Sequence, residues 1–171
     1  HTWSLAVEEQ YYLVFPLFVM ATWRHGLRVI ALICGVFAVA SLAIAHWGAV
    51  GYPAFTFYLL PARIWELLIG ALIAIYIFSY ETRNGVLWSP QPVSAQIGSM
   101  ASLALILYAI FYFDRWTPFP SLYALVPTIG AAGIILYANP RTLVGRLLAC
   151  GPLVGIGVIS YSAYLWHQPL F

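Results

Sequence analysis

The sequence predicts an all-α protein, a polytopic transmembrane bundle with about six membrane helices. Three observations predict it. Of the 171 residues, 63% are hydrophobic and 7% charged, where an ordinary soluble domain carries about a quarter charged residues. Four stretches contain no Asp, Glu, Lys or Arg: Val29–Ala62, Asn84–Phe113, Trp116–Pro140 and Leu147–Phe171. Each exceeds the ~20 mostly apolar residues that cross a bilayer as a helix. Finally, the ten-residue runs of alternating polarity that build an outer-membrane barrel are not seen. The same composition excludes a water-soluble globule, a disordered tail and a nucleic-acid binder, which needs a clustered basic face.

Six segments follow in order. The first is Ser4–Trp23, bracketed by Trp3 and Trp23 as by two interfacial aromatic belts, with Ser4 as its cap. The second is Val29–Trp47, ended by Gly48, Gly51 and Pro53. The third is Phe57–Tyr80, where Pro61 suits a first helical turn, and Asn84, Gly85, Pro90 and Pro92 follow it. The fourth is Gln96–Phe113, before Pro118 and Pro120. The fifth is Leu122–Ala138, before Asn139-Pro140, and the sixth runs from Gly155 to Phe171. No repeat or linker divides the chain, so residues 1–171 read as one membrane domain. The start without Met and the finish inside an apolar segment predict a piece of a longer protein.

Orientation follows from the seven Arg, since the chain has no Lys. Arg24 and Arg28, Arg83, and Arg141 and Arg146 fall in alternate loops, whereas the opposite side has only Arg115, beside Asp114, plus Arg63, which falls within the third segment. Cytoplasmic loops carry the excess of basic residues. Loops 24–28, 81–95 and 139–150 are therefore expected to be cytoplasmic, in a multi-pass protein of the inner (plasma) membrane with the lipid bilayer as its first partner.

Ionisable residues inside a span are costly, so each is a functional candidate. Glu8 and Glu9 lie roughly 7–9 Å below the outer belt at 1.5 Å rise per residue. They complement the helix N-terminus, but two adjacent carboxylates exceed what a cap needs. Being consecutive, they point about 100° apart and cannot serve one site equally. Arg63 and Glu66 share a helix face at i,i+3, either as a self-neutralising anchor or as an Arg holding a polar substrate group that Glu66 orients. The last segment carries a hydroxyl-rich stripe through Ser160, Tyr161, Tyr164 and Gln168, with Trp166 and His167. Such a stripe often only joins helices; His167 is a weaker candidate for a general base. His25 and His46 read as interfacial. Cys34 and Cys150 make no disulfide framework, and no metal-ligand cluster, phosphate loop or nucleophile elbow occurs.

The run His1-Thr2-Trp3-Ser4-Leu5-Ala6-Val7-Glu8-Glu9-Gln10-Tyr11-Tyr12-Leu13 with Pro16 closely resembles the WSL-x-VEEQ-F/Y-YL signature of the acyltransferase 3 family. Three further stretches agree in the same order. They are Arg63-Ile64-Trp65-Glu66-Leu67 with Gly70, Phe119-Pro120 through Pro127 to Gly130-Ala131, and Ile159-Ser160-Tyr161-Ser162-Ala163-Tyr164-Leu165-Trp166-His167 with Pro169. The resemblance spans essentially the whole chain. It implies a roughly ten-helix fold, of which about three N-terminal helices and at least one C-terminal helix lie outside this chain. The family's catalytic His and its Arg-rich motifs belong to the N-terminal part, so the 171 residues alone are expected to be inactive.

The resemblance further implies an O-acyltransferase. It would move an acyl group, an acetyl group first among them, from cytoplasmic acyl-CoA to a hydroxyl of an extracytoplasmic glycan: lipopolysaccharide, exopolysaccharide or peptidoglycan. Acyl-CoA is then a donor substrate, with no bound cofactor. Glu8 or Glu9 is expected to help deprotonate or orient the transfer machinery, with His167 as a lesser catalytic candidate. Trp3, Arg63, Glu66, Tyr161, Tyr164 and Trp166 are expected to line the substrate path. The competing reading is a transporter-like or structural bundle whose buried charges serve ion passage or helix packing.

Overall fold

The computed structural model describes the backbone of residues 3–51, 60–114 and 121–170, with side chains from Val7 onward except at 49–51, 165 and 167–170. Among the described residues the elements are α1 (Trp3–Thr22), a 3-10 turn (Trp23–His25), α2 (Leu27–Gly51), α3 (Leu60–Asn84), α4 (Pro92–Tyr112), a second 3-10 turn (Leu122–Ala124), α5 (Leu125–Tyr137), the short α6 (Leu143–Leu148) and α7 (Gly151–Leu170). No strand occurs among them. The two tight reversals use glycine in the left-handed region, Gly26 (φ 85°) between α1 and α2 and Gly85 (φ 67°) at the end of α3, where a Cβ would be strained.

Two antiparallel pairs form the bundle, α2 with α3 and α4 with α5; α1 rests against α3, and α3 also touches α5. Both pairs close through small residues. The buried stripe of α2 is Ile30, Cys34, Ala38, Ser41 and Ala45, facing Ala62, Trp65 and Leu68 of α3. Apolar burial gives little drive between helices that lipid already solvates, so close backbone approach through small side chains does the packing. The second pair is tighter still. A Cβ added at Gly130 would lie 2.7 Å from Ile106 Cγ1 and 2.9 Å from the Ser102 carbonyl oxygen, and one at Gly133 would overlap the Ser102 hydroxyl.

The loop joining α3 to α4 is pinned by Trp88. Its backbone N–H donates to Glu81 Oε1 at 3.0 Å, and its indole N–H to the Leu136 carbonyl at 3.0 Å. The Tyr76 and Tyr80 rings meet it edge-on at 5.1 and 4.9 Å. Thr142 caps α6 by accepting the Gly145 N–H, while Gln96 Oε1 takes the Leu143 N–H.

All six expected helices are present, with shifted ends. Ser4 lies inside the first turn of α1, which starts at Trp3, and does not precede it as a cap. α2 continues through Gly48 to Gly51. Pro92 opens α4 instead of breaking the chain before it, because a first-turn proline loses no intrahelical bond. The expected loop 81–95 therefore shrinks to residues 85–91, and the loop 139–150 contains α6. Pro53, Phe57, Arg115, Pro118 and Pro120 lie outside the described residues.

Among the described residues, three helices are long and apolar enough to cross a membrane: Leu27–Gly48, Leu60–Asn84 and Pro92–Tyr112, with Leu122–Tyr137 a shorter apolar segment. Large exposed apolar side chains such as Leu13, Leu32, Val39, Ile110 and Phe111 coat the outside of the bundle, as a lipid-facing surface requires.

Candidate functional site

The α1 register separates its two carboxylates. Val7 and Tyr11 are buried, with Phe15 and Phe18 partly buried below them, so these define the inward face. Glu8 flanks that face and is half-buried, whereas Glu9, a further 100° round, is exposed. The Tyr11 ring stacks on Phe15 at 4.8 Å. Tyr11 is 7% exposed, and its hydroxyl has no hydrogen-bond partner among the described residues.

On α3, Arg63 Nη2 lies 3.6 Å from Glu66 Oε2, the i,i+3 pairing expected from the sequence. Glu66 Oε1 is buried and unpartnered among the described residues, as is the indole N–H of Trp65. Trp65, 1% exposed, fixes this turn in the core, and its backbone N–H lies 3.3 Å from Ser41 Oγ of α2. The first turns of α3 thus hold an ion pair at the rim of the core, with one carboxylate oxygen left to accept a further donor.

Between α1, α2 and α3 lies an apolar cavity of about 190 Å³, lined by Tyr11, Val14, Phe15 and Phe18, by Cys34 and Phe37, and by Ile64 and Leu68. A second apolar cavity of about 270 Å³ follows it toward the α1–α2 turn, with Phe15 as the shared wall and Ala71, Ala74 and Phe78 on α3. Ile64 and Leu68 face the first cavity, and Glu66 sits two residues from each, about 160–200° round the helix. Glu66 therefore points across α3, away from the side that Ile64 and Leu68 present to the cavity.

Tyr161, Tyr164 and Trp166 are exposed, like every other described side chain of α7. The side chains of Trp3 and His167 lie outside the described residues. His25 and His46 are exposed, as expected for interfacial residues, and Cys34 is a buried free thiol. No group of three or more His, Cys, Asp or Glu able to hold a metal occurs among the described residues. The sequence reading missed the cavity-lining residues Tyr11, Phe15, Cys34 and Phe37. Their spacing at i,i+4 on α1 and i,i+3 on α2 was a usable signal for a shared face, but apolar residues at such spacing are usually core.

The acyltransferase domain family matches residues 1–171. The chain is 26% identical over 182 residues to the peptidoglycan O-acetyltransferase OatA of Listeria monocytogenes, covering 98% of this chain and 28% of that protein. It is 28% identical over 178 residues to the O-acetyltransferase OatA of Staphylococcus aureus, covering 99% of this chain and 29% of that protein. The chain thus spans little more than a quarter of the length of these relatives. No solved structure matches it. With the match running from its first residue to its last, the chain belongs to the acyltransferase domain family, acyltransferase 3.

Proposed function

We propose that this chain is the part of a membrane O-acyltransferase that carries the acyl group toward an extracytoplasmic glycan hydroxyl. The observation that carries the reading is the family match over residues 1–171, in a bundle that keeps a half-buried carboxylate at Glu8 and a partly buried Arg63–Glu66 pair at the rim of the core. The donor is acyl-CoA on the cytoplasmic side and the acceptor a glycan, with peptidoglycan favoured by the OatA relatives.

The reaction is an acyl transfer. The acceptor oxygen bonds to the acyl carbonyl carbon, the thioester C–S bond breaks, and the hydroxyl proton leaves through a base to the departing thiol. Glu8 is suited to receive or relay that proton, because it is half-buried beside apolar groups. Arg63 is suited to hold an oxyanion or a sugar hydroxyl while Glu66 fixes the guanidinium. Trp3, Tyr161, Tyr164 and Trp166 remain in the scheme as residues that line the acceptor path and His167 as a lesser catalytic candidate, while the exposed Glu9 yields the catalytic place on α1 to Glu8.

The test is made on the full-length protein in cells of the parent species. Deleting its gene and restoring it should remove and return alkali-labile acetate on the purified cell-wall glycan. Restoration with Glu8→Gln or Arg63→Ala should not return it. Unchanged glycan acetate on deletion would discard the enzyme reading in favour of a transporter-like or structural bundle.

A further inference from the structure

We propose that the cleft between the α3–α4 loop and the α5–α6 turn binds the phosphate of an anionic phospholipid in the leaflet facing that end of the bundle. The cleft, of about 220 Å³, has Ser89, Gln91 and Pro92 on one wall and Asn139, Arg141 and Thr142 on the other. It adjoins the end of α3, whereas Glu8 and Arg63 lie near the starts of α1 and α3. The turn that holds Arg141 spends its side-chain acceptors and keeps its donors. Asn139 Oδ1 accepts the Arg141 backbone N–H at 2.9 Å, which leaves the amide NH2 of Asn139 to donate. Thr142 Oγ1 is occupied by the Asn139 carbonyl and the Gly145 N–H. The Arg141 guanidinium, the Asn139 NH2, the Gln91 amide and the Ser89 hydroxyl have no partner among the described residues. No carboxylate lines the cleft among the described residues, and Glu81 of α3 accepts the Trp88 N–H. One cation among spare donors, with no acid, selects an anion, and a guanidinium pairs with phosphate through two N–H groups. The donors are side chains: Pro92, which opens α4 here, has no N–H to offer.

What flanks the cleft makes the anion a lipid and not a solute. Leu87, 81% exposed, precedes one wall, and Leu143, 63% exposed, follows the other. The backbone beside each is tied down: Trp88 bonds Glu81 and Leu136, and the Leu143 N–H donates to Gln96 Oε1. Leu147 shares the outward face of α6 with Leu143, while Val144 takes the buried one. Exposed leucines held rigidly at the end of a membrane bundle belong among acyl chains, which sets the cleft at headgroup depth. The same end carries the exposed Arg24, Arg28, Arg83, Arg141 and Arg146 against one carboxylate, Glu81. That balance draws anionic lipid to the surface.

The full-length protein in detergent would be titrated with dioctanoyl phosphatidylglycerol or dioctanoyl phosphatidylcholine, and the bound lipid counted by native mass spectrometry. Phosphatidylglycerol should be retained over phosphatidylcholine. Arg141→Ala should weaken its retention about tenfold, the value of one charge-assisted hydrogen bond. Gln91→Ala, on the opposite wall, should weaken it about threefold, and Arg83→Ala, outside the cleft, should stay within about twofold. Arg141 and Gln91 are exposed, so unfolding temperatures without lipid should not move. Equal retention of the two lipids, or equal retention of phosphatidylglycerol by the parent, Arg141→Ala and Gln91→Ala, would overturn the proposal. Inorganic phosphate or coenzyme A at the same concentration should not displace the lipid. Displacement that disappears in Arg141→Ala would assign the cleft to a soluble phosphate compound and overturn the lipid.

Discussion

The backbone N–H of Trp65 lies 3.3 Å from the hydroxyl oxygen of Ser41, in the buried seam between α2 and α3. One side chain therefore fixes the height of α3 on α2, and with it the turn that carries Arg63 and Glu66. Ser41→Ala should cost about 1 kcal/mol, the net value of a hydrogen bond. Ser41→Leu must also force apart two helices in close contact and should cost about 1–3 kcal/mol more. Thermal unfolding of the purified full-length protein in detergent checks the order.

The Arg63–Glu66 pair separates a structural role from a functional one. Arg63→Met leaves the partly buried Glu66 carboxylate without its partner and should destabilise by about 1–3 kcal/mol. The double variant Arg63→Met with Glu66→Leu removes both charges and should recover most of that loss. If the pair serves the reaction, glycan acylation stays absent in the double variant although its unfolding temperature returns. Recovery of both together would reduce the pair to a packing device.

Glu8 and Glu9 should part company in activity. Glu8→Gln is expected to lower acyl transfer by about a hundredfold or more, the scale of a lost general base. Glu9→Gln, at an exposed position, should stay within about 0.5 kcal/mol of the parent, or roughly twofold. Ester formation per mole of folded protein is the measurement, and equal losses in both variants would contradict the α1 register described above.

Gly133 offers a test of the second helix pair. Gly133→Ala drives a Cβ into the Ser102 hydroxyl and should destabilise by about 1–3 kcal/mol. Adding Ser102→Ala removes that oxygen and leaves the Ser102 Cβ at 3.1 Å as the nearest atom, so part of the loss should return. Unfolding temperatures of the two single variants and the double variant give the coupling.

Composition and charge spacing alone were sufficient for the all-helical membrane bundle and for the place of its helices, because a helix that spans lipid must be long, apolar and uninterrupted. They were less informative about helix ends. Pro92 reads as a breaker yet opens α4, and residues 81–84 read as loop yet extend α3, since first-turn prolines and polar last turns are compatible with a helix. The Arg63–Glu66 pairing was legible because it is local to one helix.

What spans separate helices was not legible. Sequence by itself determined the class of fold, the family resemblance and the identity of the few costly charges, all of which depend on residue type and local spacing. Only the tertiary structure decided that Glu8 faces the bundle while Glu9 does not, and that the Arg63–Glu66 pair lies across α3 from the α1 cavity. It also decided that α7 leaves its tyrosines exposed and that Gly130 and Gly133 are filled by α4. Each of these depends on which face of one helix meets which face of another, and that choice is made by shape and hydrogen bonding between segments far apart in the chain.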